Sequence, residues 1–237
     1  MSWLTESQPG RSRLPTFTDL ANPDFYVSTG PSTCPGPTSS ETATSDPCVV
    51  VDPQYAWNRG DVSPQINDNW AAFAGLGVTA RGVDSTTWAD ETDVRPTIMA
   101  LLGLHDDYLS DGRVLVEDVS RAVLPNAYGN AAKFAQLIAL EDAYKQVNAD
   151  VGVFGLATLQ ASTRALESTS AHDAIYHSIE RALTRLGSER DALAARVSQA
   201  LHDLEFEGQA IPSGAAQTWT NQANSLIAQA SELGGGE

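Results

Sequence analysis

Apolar residues recur at helical spacing through the second half of this chain. Asn130 to Asn148 carries Phe134, Leu137, Ile138, Leu140, Ala143 and Tyr144 on one broad face. Val153 to Leu166 continues with Phe154, Leu156, Leu159 and Leu166. The longest periodic run follows: Ile179, Leu183, Leu186, Arg190, Leu193, Val197, Ala200 and Leu204. Its spacings alternate between four and three, as in a coiled-coil seam. Arg190 interrupts the seam at a core position, where its stem is expected to snorkel. Turn residues at Glu207-Gly208 and Ile211-Pro-Ser-Gly214 precede a last helix. That helix presents Trp219, Ala223, Leu226, Ile227, Ala230 and Leu233 and stops at the glycines from Gly234 to Gly236. The spacing predicts a helical region over residues 126–237, with an antiparallel helical hairpin over 171–234. Its stripes are expected to pack on one another and on the preceding region. Self-association or partner binding through the hairpin is the alternative.

Residues 1–125 have a different texture. An apolar, glycine-punctuated run from Trp70 to Val78 suits a buried strand that ends in a turn at Gly75 to Gly77. Thr92 or Asp93 then caps a helix that tolerates Pro96 in its first turn. Ile98, Met99, Leu101 and Leu102 give it an apolar face, and Gly103 ends it. Strand, acidic loop and capped helix form an α/β unit. Residues 31–47 are an irregular Pro-, Ser- and Thr-rich loop between Cys34 and Cys48. A disulfide between these two cysteines would close a loop that cannot fold by burial, contributing about 3 kcal/mol in the chain-entropy model. Two free thiols are the alternative.

Charge narrows the partners. The 237 residues include 14 Lys and Arg against 30 Asp and Glu, a net charge of −16. Such a surface repels phosphate backbones and excludes nucleic acid as a natural partner. Acids gather at Asp90, Glu91, Asp93, Asp106, Asp107 and Asp111. His105-Asp-Asp-Tyr-Leu-Ser-Asp-Gly112 lacks the offsets of a calcium loop and reads as an acidic surface loop. His172, His177 and His202 do not fall in pairs on one face, so they do not read as a metal set. No run is long and apolar enough for a membrane span, and Met1 to Gly10 lacks the features of a secretory signal. The chain therefore reads as soluble.

Several segments carry a more specific message. They are Ala56-Trp57-Asn58-Arg59-Gly60-Asp61, Gly75-Leu76-Gly77-Val78 and Asp90-Glu91-Thr92-Asp93-Val94-Arg95-Pro96-Thr97. Leu14-Pro-Thr-Phe-Thr18, Asn22-Pro-Asp-Phe25 and the run from Asp107 to Arg113 belong with them. Together they resemble the closing part of the alkaline phosphatase superfamily domain, a group that includes sulfatases and nucleotide phosphodiesterases. The likeness is nearest to large bacterial secreted members, whose helical C-terminal extension the tail also resembles. The resemblance implies an α/β remnant of that domain followed by the mostly helical C-terminal region. It implies a parent activity on phosphoric esters that uses a zinc-type divalent metal. The family's nucleophile and most of its metal ligands precede the matching segment and have no counterpart in this chain. The one ligand histidine the family takes from this segment falls at Arg59, and a guanidinium has no lone pair for a metal. The expectation is therefore no catalytic residue, no metal ligand and no cofactor in this chain. Arg59 is instead a candidate contact for a phosphate or sulfate, and Asp61 a solvated or capping carboxylate. The expected function is a C-terminal fragment of such a hydrolase, inactive alone. The alternatives are a subunit that completes a separately encoded upstream half, and a helical interaction module. The relatives are exported, which an oxidised Cys34–Cys48 pair would suit.

Overall fold

The computed structural model describes residues 42–43, 50–51, 71–169, 171–212 and 214–235. The chain divides into two compact units. In the first, residues 1–6 and 15–71, the described element is an antiparallel pair of short strands. β1 (Thr42–Ala43) meets β2 (Val50–Val51) in the register Thr42 to Val51 and Ala43 to Val50. Cys34, Cys48, Arg59, Asp61 and Trp70 lie outside the described residues, and so do the expected disulfide and the Arg59 anion contact.

The second unit is mostly helical among its described residues. Its helices are α1 (Val94–Leu102), α2 (Ala131–Asn148), α3 (Val153–Leu166), α4 (Ala174–Phe206) and α5 (Ala215–Gly234). Asn130 starts α2, its side chain accepting from the Lys133 amide at 3.0 Å. The apolar faces read from sequence then bury Leu137, Leu140, Ala143 and Tyr144 on α2, and Phe154, Ala157, Leu159 and Ala161 on α3. Each helix from α2 to α5 packs against the other three. On α4, Leu186, Leu193, Val197, Leu201 and Leu204 line the core. The alternating register drifts at its end, so that Leu201 is buried where Ala200 was expected. Seven residues of a straight helix fall about 20° short of two full turns, so a strict heptad seam drifts toward later residues, which accounts for the shift.

The α4–α5 connection forms the expected antiparallel hairpin. Arg185, early in α4, bonds Gln229, late in α5, at 3.2 Å. Arg190 does not snorkel into solvent. It is 5% exposed, its Nε lies 2.9 Å from Asp191, and its guanidinium approaches the Phe154 ring. The apolar stripes are thus spent inside the bundle.

The region before the bundle departs from the sequence reading. Residues 71–78 do not form a strand. Val78 makes a single antiparallel bridge to Val119, flanked by Thr79 N to Asp118 O at 2.8 Å and Ser120 N to Gly77 O at 2.7 Å. A ladder cannot extend because the opposite segment curls: Val116 N returns to Val114 O and Asp118 N to Leu115 O. Leu76, at the tip of the glycine turn, is fully exposed. The helix expected after it is present as α1, and Gly103 stops it in the left-handed region at φ 64°. Its outer residues Ile98 and Leu102 stay exposed, as do Val83, Leu104 and Tyr108.

Candidate functional site

The unusual chemistry of the second unit lies between residues 88–120 and the bundle, where charged side chains are buried on both sides. On the first side stands the Asp90–Thr97 motif. Asp90 opens a 3-10 turn, Glu91–Asp93, through a reciprocal capping box. Its carboxylate accepts from Thr92 N at 2.9 Å, while its own N–H donates to the Asp93 carboxylate at 3.0 Å. Asp93 stands at the N-cap position of α1, as expected, but its side chain makes no cap hydrogen bond there; the side-chain cap is that of Asp90 on the preceding 3-10 turn. Asp93 is fully buried and also accepts from Arg113 N at 2.9 Å. Thr97, fully buried on α1, donates to Asp93 O at 2.7 Å and accepts from Leu115 N at 2.9 Å. Gly112 lets the two segments come this close, since a Cβ there would sit 2.0 Å from the Thr92 carbonyl oxygen.

Arg113 is the hub. It is wholly buried, with Nη1 2.7 Å from Glu117 and 3.2 Å from Glu141 of α2. Its Nη2 donates to the other Glu117 oxygen at 3.1 Å. Burial works against its charge, but Glu141 and Glu117 outweigh that and hold the guanidinium protonated. One turn along α2, Lys145 sends its buried ammonium to Asp90 at 2.9 Å, Asp93 at 3.1 Å and Thr92 Oγ1 at 2.9 Å. Tyr128 donates to Glu141 at 3.3 Å, and Tyr144 to the Asp111 carbonyl at 3.1 Å. At the end of α4, Glu205 accepts from Val114 N at 2.9 Å. Burial pushes its carboxyl up to about 8. Burial also drives Glu141 well above the usual carboxylate range, with Arg113 pulling back and Glu205 adding to the push.

Asp106 also departs from the reading of residues 105–112 as a plain acidic surface loop. Its carboxylate is almost wholly buried and grips Arg95 with two bonds, at 2.6 Å and 3.0 Å. That bidentate pair holds the carboxyl below its ordinary range. Asp107 beside it is exposed.

The seam binds parts of the chain to each other. Most of its polar atoms are committed inward, while Arg113 Nε is buried without a hydrogen-bond partner. Among the described residues no set of His, Cys, Asp and Glu side chains is grouped to hold a metal ion. His177 is exposed beside Glu180 at 3.3 Å, and His202 stacks near Phe206, so the two stand apart. An open cleft lined by Asn130, Lys133, Gln136 and Ile211 shares no residue with the seam. No helix among the described residues is long and apolar enough to cross a membrane.

Sequence reasoning singled out Asp90, Thr92, Asp93 and Thr97 as a motif and a helix cap, not as one side of a buried ionic seam, and missed the other side altogether. The available signal was Glu141 and Lys145, which share the apolar face of α2 with Leu137, Tyr144 and Asn148. Charged residues at core positions of a helical stripe mark a buried pairing. No family model, characterised protein or solved structure matches the chain in comparisons with each.

Proposed function

We propose that the chain is a non-catalytic, C-terminal portion of a hydrolase related to the alkaline phosphatase superfamily, in which residues 72–237 serve as scaffold. The observation that supports this is the fate of the Asp90–Thr97 motif. Its two aspartates and two threonines spend their polar atoms on Arg113, Lys145, Leu115 and one another. None is left to hold a metal or activate a nucleophile, as two-metal phosphoryl transfer requires. Packing of the α4 and α5 stripes inside the bundle favours scaffold over a helical interaction module. The purified chain is expected neither to bind zinc tightly nor to hydrolyse p-nitrophenyl phosphate or bis-p-nitrophenyl phosphate. Micromolar zinc affinity by calorimetry together with turnover of either ester would overturn this.

A second reading is a subunit that completes a separately encoded catalytic half, with Arg59 touching the substrate anion. The exposed apolar side chains of Ile98, Leu102 and Leu104 favour it. Its test is a neighbouring reading frame that encodes a nucleophile with clustered Asp and His, and activity recovered on mixing the two chains.

A further inference from the structure

We propose that residues 88–120 form a pH-sensitive strap, which unlatches progressively from the bundle as pH rises and uncovers the apolar face of α2 and α4 while the helices stay packed. The geometry carries the device independently of any ancestry. Three consecutive strap amides, those of Arg113, Val114 and Leu115, donate to the side chains of Asp93, Glu205 and Thr97. Val114 and Val116 of the strap sit in the same core as Leu140, Tyr144, Leu201 and Leu204. Glu205 is the bundle's own anchor in that set. It faces Arg113 and Asp93 from the strap, and Glu141, Tyr128 and Tyr144 from the α2 side. The single guanidinium is already engaged by Glu117 and Glu141, and the ammonium of Lys145 by Asp90 and Asp93. Glu205 therefore receives an amide where an ionised carboxylate would need a cation, and the closed seam accommodates it best as a neutral acid.

Opening the strap returns Glu205 to water and to its ordinary range. Closed, its pKa is about 8 against a reference of 4.5, so the closed form retains a proton that the open form releases. Closure is thus strongest below the reference value and weakens as pH rises toward the closed-state value, with no further loss from this group beyond it. Linkage limits the change to about tenfold in the opening equilibrium per pH unit for each proton released.

The test is amide hydrogen exchange on the full chain at about pH 5.5, 6.5, 7.5 and 8.5, with labelling times scaled to the intrinsic rate. Protection over residues 110–120 is expected to fall by up to about tenfold per pH unit, while residues 186–200 of α4 hold theirs. Glu205→Gln keeps an acceptor oxygen for Val114 without a titrating proton, and is expected to lower the strap's slope by about one proton. Strap protection that ignores pH, strap and bundle losing protection in step, or an unchanged slope in Glu205→Gln would each overturn the proposal. Should that variant not fold, the comparison of strap and bundle within the unaltered chain decides alone.

Discussion

Helices α4 and α5 meet through leucine, alanine and valine, whereas residues 88–120 meet the same bundle through carboxylates, a guanidinium and an ammonium. Both contacts are dry: Leu186 and Arg113 are each wholly buried. They differ in what happens when one member is removed. An apolar contact loses transfer and packing energy from the deleted atoms. An ionic contact leaves its partners charged, buried and alone, and that penalty exceeds the worth of the pair itself. The seam is therefore all-or-none in a way the bundle is not.

Arg113→Ala should expose this most strongly. It strands Glu141 and Glu117 and is expected to cost about 3–5 kcal/mol, measured by urea unfolding. Arg113→Met, which keeps the stem and drops the charge, tests a separate question. Where charge complementarity holds the seam, pairing the methionine with Glu141→Gln should recover much of the loss. An alanine variant that loses less than about 1 kcal/mol would mean that the strap is held by Val114 and Val116 alone.

That asymmetry also governs how much the sequence revealed. Helices α2 and α3 were legible nearly to the residue, because a helical stripe and its cap are local signals: Asn130 caps the amide three residues on, and the apolar positions of each stripe recur within one helix. The seam is long-range. Arg113 reaches Glu141 across 28 positions and Val114 reaches Glu205 across 91. A lone arginine after Asp111-Gly112 has the composition of a surface loop, and nothing local says that its partners wait on α2. The expected strand over residues 70–78 failed for a related reason. Apolar content there was real, but a strand exists only with a partner, and the facing chain turns away after one bridge at Val119. The Asp90–Thr97 segment stood out in the sequence as a motif, but what its side chains bind came only from the fold.

Leu186→Ala provides the bundle's counterpart. The side chain is fully enclosed in the core, and its removal is expected to cost about 2–5 kcal/mol. The loss should be shared across α2 to α5 and independent of pH between about 5 and 8.5, since no titrating group stands behind it. A pH-dependent penalty like that expected for the seam would erase the distinction between the two regions.

The smallest effect makes the sharpest contrast, because the chemistry is matched. Arg185 pairs with Glu189 at 2.8 Å and Arg113 with Glu117 at 2.7 Å, each across four positions. The first pair has side chains 53% and 48% exposed, and the second 0% and 9%. Length and spacing are thus nearly constant while burial changes. Arg185→Ala is expected to shift stability by less than about 0.5 kcal/mol, because water already screens the charge and a long side chain regains its freedom. Salt should separate the two further. Raising it to about 1 M shortens the screening length to roughly 3 Å, which removes what remains of the exposed pair and leaves the enclosed one nearly untouched. Equal salt sensitivity of the two alanine variants would mean that solvent reaches the seam, and that the strap is open for a sizeable fraction of the time at neutral pH.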